Sequence, residues 1–206
     1  MTKTFQRLIT ANVIAFSFAA AAQAQNGLIQ APPAPANLQV PSGNSIYLKG
    51  QAEGTQNYVC AASASGPQWK PMGPQATLFV TFPWINGQGK QQITTHFLSA
   101  NPAEGGTPRP SWQGSLDTSM VWGNPIANST DPAYVAPGAV AWLLVQAVGT
   151  QAGPMGGKML SETTYIQRLN TSGGVAPATG CDAASYGKVA LAPYTTDYYF
   201  YRASRR

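Results

Sequence analysis

The chain has 206 residues, of which only 9% are charged, against roughly 25% in ordinary soluble domains. Twelve Lys and Arg against seven Asp and Glu give a formal charge of +5, yet the basic residues are scattered apart from the Arg202, Arg205 and Arg206 tail. This excludes the concentrated basic face that nucleic-acid binding needs, and the length suits one domain that can bury a core of its own.

In chain order, the first element is not structural. Lys3 and Arg7 precede a run from Leu8 to Ala22 that is apolar apart from Thr10, Asn12 and Ser17. Ala22-Gln23-Ala24 then offers small residues at both positions that a signal peptidase reads, so residues 1–24 are expected to be a signal peptide and the mature protein periplasmic or extracellular. The apolar run falls short of the roughly 20 residues that span a bilayer. No later segment is long and apolar enough either, so no transmembrane segment is expected after cleavage. Residues 25–40 are rich in Ala and Pro (Ala31-Pro32-Pro33-Ala34-Pro35-Ala36) and read as an extended linker or outer strap. Residues 41–206 then form a single β domain.

Strand signals begin at Ser45 to Lys49 and continue at Gln56 to Ala61. Ala76 to Phe82 alternates clearly, with Ala76, Leu78, Val80 and Phe82 on one face and Thr77 and Thr81 on the other. The Asn86-Gly87 pair marks a turn. Gln92 to Leu98 alternates next, placing Thr94, His96 and Leu98 opposite Ile93, Thr95 and Phe97. Asn101 to Pro110 is dense in Gly and Pro and reads as loop, and Thr118 to Trp122 as a short strand. Ala139 to Val148 is almost continuously apolar, the mark of a strand buried on both faces or of a helix, and the flanking Pro137-Gly138 and Gly149 favour the strand. Ser161 to Leu169 and Lys188 to Tyr201 complete the set. With 21 Gly and 17 Pro punctuating the chain and no sustained 3.6-residue period, the pattern predicts an all-β antiparallel sandwich or barrel-like fold with long Gly/Pro-rich loops.

Two cysteines, Cys60 and Cys181, remain after export, and an even pair in an oxidising compartment is more often bridged than free. A disulfide across so long a stretch contributes on the order of 4–5 kcal/mol in the chain-entropy model. Two cysteines and one histidine lack the ligand count and spacing of a zinc site, so neither metal nor cofactor is expected.

The last third carries a family resemblance. Tyr165 to Pro177 (Tyr-Ile-Gln-Arg-Leu-Asn-Thr-Ser-Gly-Gly-Val-Ala-Pro), then Cys181-Asp182, then Pro193 to Tyr201 resembles the ending of the domain-of-unknown-function 3455 family, secreted proteins of bacteria and fungi. Gly54 to Cys60 is similar to the family's early motif, Thr95-His96-Phe97 to its central one, and Ala141 to Leu144 to the apolar strand before the ending. Some fungal members carry a malate-dehydrogenase label. This sequence has no G-x-G-x-x-G opening a helix after a strand, which a dinucleotide fold requires.

Among chemistry-bearing residues, His96 is the sole histidine. It is either a hydrogen-bonded strand residue or a general base paired with Asp117 or Glu104. Asp182 and Asp197 read as structural acids, and no pair of carboxylates stands out for glycan hydrolysis. Trp69, Trp84, Trp112 and Trp122 lie in or beside Gly/Pro-rich loops. They either cap the core or offer flat platforms for sugar rings. Tyr194, Tyr198, Tyr199 and Tyr201 suit cross-strand packing. The expected function is a non-catalytic binding or surface module for cell-wall or extracellular polysaccharide, with Trp112, Trp84 and His96 as candidate contacts. The alternative is a small extracellular hydrolase using His96 and a carboxylate.

Overall fold

A computed structural model describes residues 29–82 and 89–205; the signal-peptide segment, the Asn86-Gly87 turn and Trp84 lie outside them. Eight strands follow one another: β1 (Asn44–Ala61), β2 (Gln68–Phe82), β3 (Gly89–Asn101), β4 (Thr107–Gly114), β5 (Met120–Ser129), β6 (Trp142–Gln151), β7 (Thr163–Gly173) and β8 (Val189–Ala203). Each pairs antiparallel with the next, and β8 returns to β1, so the sheet closes into a barrel. The closing ladder is long, running from Asn44 opposite Ala203 to Val59 opposite Val189.

Two expectations change on this frame. The runs at Ser45 and Gln56 are one strand, β1, because the residues between them keep pairing: Gly50 with β8, and Gly54 with both β2 and β8. A Cβ on Gly54 would stand 2.2 Å from the Gln75 carbonyl oxygen. Glycine is what lets β1 and β2 approach here. The Gly/Pro-rich stretch is also not all loop, since Thr107–Pro110 belongs to β4. Pro108 and Pro110 pair with β3 but lie beyond the short contact with β5, which spans Ser111–Gln113. A missing N–H on an edge without a partner costs no ladder bond.

An eight-stranded barrel has a lumen that side chains just fill. Here Ala52, Leu78, Ile93, Trp112, Val121, Val145, Ile166, Tyr194, Tyr198 and Phe200 fill it. Ile93 and Thr94 are both buried although adjacent, because the ladder with β2 slips between Leu78 and Phe79, and Ile93 has no direct partner. Such a bulge turns two successive side chains inward. Apolar-in packing is the reverse of what a membrane-spanning barrel presents to lipid, and no helix among the described residues is long and apolar enough to cross a membrane.

A second core lies outside the barrel. The segment before β1, with a 3-10 turn at Ala36–Leu38, crosses the outer face of β6–β8. Leu38 and Val135 pack there with Trp142, Leu144, Leu169, Tyr199 and Tyr201. Gln167 Nε2 donates to the Leu38 carbonyl (2.7 Å) and Asn37 Nδ2 to that of Asn128 (2.8 Å). The Ala/Pro-rich segment is therefore a strap, fixed at Leu38. This explains the strand at Trp142 being apolar on both faces: Val145 points into the lumen and Leu144 into the strap contact.

The disulfide is present, Cys60 to Cys181 with Cα atoms 5.3 Å apart and a sequence separation of 121. It ties the β7–β8 connection to the end of β1.

Candidate binding cleft

Two of the three residues that the sequence singled out, His96 and Trp112, do come together, but inside the protein. His96 and Trp112 are cross-strand partners on β3 and β4, and their rings stack with centroids 4.2 Å apart and planes 9° apart. Tyr198 meets both edge-on. Trp112 is 1% exposed and His96 3%. His96 Nδ1 bonds the Ser111 carbonyl at 2.9 Å, and burial pushes the imidazole down to about 3, so it is neutral at physiological pH. Its proposed acidic partners are occupied elsewhere. Glu104 receives Arg109 and Asn101, and Asp117 receives Ser119 and the Met159 N–H. In this structure the pair is a core contact, its two rings stacked and buried.

The other tryptophans follow the same physics. Trp122 lies on β5, 4% exposed, with its indole N–H on Ser99 Oγ (2.9 Å). Trp142 is buried under the strap. Trp69 is partly exposed on β2, and its N–H donates to the Thr179 carbonyl (3.1 Å). Among the described tryptophans none stands as a free platform in a loop.

With the lumen filled, concave surface is left on the outside. One hollow, of about 770 Å³, lies between the strap and the outer face of β1, β7 and β8. Its strap wall includes Gln30, Pro33, Gln39 and Pro41, and its barrel wall Lys49, Gln167, Asn170, Asp197, Tyr199 and Tyr201. The tyrosines are almost fully covered and form its floor. The outward alternation of β8 puts Asp197, Tyr199 and Tyr201 here while Tyr198 and Phe200 fill the lumen.

Asp197 is the centre of this wall. It is held by side chains: Lys49 Nζ at 3.1 Å, Asn170 Nδ2 at 2.9 Å and the Tyr199 hydroxyl at 3.4 Å. All three reach the same oxygen, Oδ2. The Lys49 ammonium also sits 5.4 Å from the centre of the Tyr199 ring, and Asp197 is the main reason its pKa rises despite burial. Asn170 reaches Asp197 from a left-handed backbone (φ 53°), where the β7–β8 register slips between Leu169 and Ser172. Asn tolerates that conformation better than most residues.

Asp197 and Asn170 also line a second hollow of about 280 Å³, formed with Gln51, Glu53, Lys90 and Thr195. Lys90 pairs with Glu53 there. Sequence reading missed both hollows. The one available signal was Asp197 itself, an acid facing outward on an otherwise aromatic strand. Among the described residues, no group of three His, Cys, Asp or Glu side chains is placed to hold a metal.

Fold and site together define a disulfide-stapled, strap-covered antiparallel β-barrel with a packed lumen and a polar external cleft. The chain belongs to the family described as "Protein of unknown function (DUF3455)", whose family model matches residues 41–202. No curated protein and no solved structure matches it.

Proposed function

We propose that the protein is an exported, non-catalytic binding module whose ligand is a cell-wall or extracellular polysaccharide seated in the cleft around Asp197. The observation that carries this reading is the lining: a carboxylate, an ammonium and the amides of Gln30, Gln39 and Asn170 bordering one open hollow. Such groups complement a hydroxyl-rich chain, which offers both donors and acceptors. Export rests on the signal-peptide pattern of residues 1–24, and a disulfide suits an oxidising compartment.

Hydrolysis with His96 has less support. A general base must come within hydrogen-bond reach of its substrate, whereas His96 lies beneath Trp112 and Tyr198 in the packed lumen.

The test is a pull-down against insoluble cellulose, xylan, mannan and peptidoglycan, with Asp197→Asn as the control. Retention on one of these matrices, lost in the variant, is the expected result. Failure to bind any of them overturns the reading, and a hydrolytic activity abolished by His96→Ala would replace it.

A further inference from the structure

The geometry points to a narrower ligand class: a neutral linear glycan bound along its interior, crossing Asp197 from one hollow into the other. This inference rests on the polysaccharide reading above and adds to it the ligand's charge and mode of engagement.

Three observations carry it. First, the hollows of about 770 and 280 Å³ share Asn170 and Asp197. The carboxylate is therefore a midpoint and not the end wall of a closed pocket. Beyond it, Glu53 and Thr195 also border a further depression with Ser172 and Pro193, which prolongs the track across the outer face. A chain terminus would need a dead end, whereas this path continues on both sides.

Second, the charges are matched. Lys49 lies against Asp197 and Lys90 against Glu53. Each cation is already answered by a carboxylate, so the track favours neither a uronate polymer nor a polyamine. An anionic chain would have to displace Glu53 and Asp197 from their lysines, and a cationic chain the reverse.

Third, Asp197 is half used. Its three donors all reach Oδ2, and no donor among the described residues reaches Oδ1. A carboxylate oxygen takes hydrogen bonds from neutral hydroxyls well. Asn170, fixed by its own bond to Oδ2, leaves its amide oxygen as a further acceptor beside it.

The test is calorimetric titration of the full mature protein with gluco-, xylo- and manno-oligosaccharides, from monosaccharide to hexasaccharide. Oligogalacturonate and deacetylated chito-oligosaccharide serve as the charged probes. Affinity is expected to climb with chain length through the tetrasaccharide, with the charged series weaker at equal length. Asp197→Asn is expected to lower affinity for the long neutral chains about tenfold or more. Thr195→Arg, a change at an exposed side chain of the second hollow, should weaken long oligosaccharides more than short ones and so flatten the gain from added length. It keeps the test decisive even if Asp197→Asn unfolds. Neutral oligosaccharides that bind equally at every length, or a charged series that binds best, overturn this inference while leaving polysaccharide binding intact. Binding by none of the probes removes the polysaccharide reading itself.

Discussion

His96 shows how one residue's setting turns into a measurable property of the protein. Its folded pKa of about 3 lies below the ordinary value of 6.5, so above about pH 6.5 it is neutral folded or unfolded and contributes no pH dependence. As the pH falls from there toward 3, the unfolded chain takes up a proton that the folded chain refuses, and stability declines by about 1.4 kcal/mol per pH unit. Denaturation at about pH 6 and pH 5, above the range where carboxylates titrate, is expected to show that slope in the wild type and not in His96→Gln. Trp112, stacked on the same ring, is expected to lose about 3–5 kcal/mol as Trp112→Ala. Urea unfolding by far-UV circular dichroism measures it. Gly54→Ala should be as severe for a different reason, because its methyl group would collide with backbone at Gln75, which cannot swing aside as a flexible side chain would.

Among the elements, the strands are unevenly joined. β1 is paired along nearly its whole length with β8, whereas β4 meets β5 only over Ser111–Gln113 and β6 meets β7 only from Leu143 to Gln146. Local opening follows the places where fewest backbone bonds and contacts must be broken. Amide exchange is therefore expected to be fastest among the strands at the β4–β5 seam and slowest in β1 and β8. Uniform protection around the barrel would contradict this. The strap has its own anchor in Leu38, fully buried against β6–β8. Leu38→Ala should cost about 2–5 kcal/mol and loosen the cleft's strap wall, which is read as faster exchange at residues 30–42 with the barrel strands unchanged.

At the scale of the whole molecule, β1 and β8 hold the barrel shut through their ladder, and the disulfide adds to a closure that already exists. Its effect falls on the unfolded chain, where a link across 121 residues removes conformational freedom, and on the β7–β8 connection, which it pins to the end of β1. The Cys60→Ala/Cys181→Ala double variant is expected to keep its far-UV spectrum while losing about 2–5 kcal/mol. At this size that lowers Tm by about 2–4 °C for each kcal/mol. Loss of the β spectrum at room temperature would instead make the bond a condition of folding.

What the sequence determined by itself is local. Alternation at Ala76–Phe82 and Gln92–Leu98 specified strands because the side-chain period of two is written directly in residue order. Two cysteines left a single pairing, and the ordered motifs from Gly54 to Tyr201 carried the family. His96 was legible as a hydrogen-bonded strand residue because no partner motif accompanied it. Tertiary structure alone decided the rest. Barrel rather than sandwich depends on β8 pairing with β1, a contact between chain ends that no window of sequence contains. The tryptophans near loops were legible as aromatic but not as buried, since whether Trp112 faces lumen or solvent depends on register. The cleft at Asp197 joins Lys49, Asn170 and the strap from distant parts of the chain, so its three donors came together only when the sheet closed.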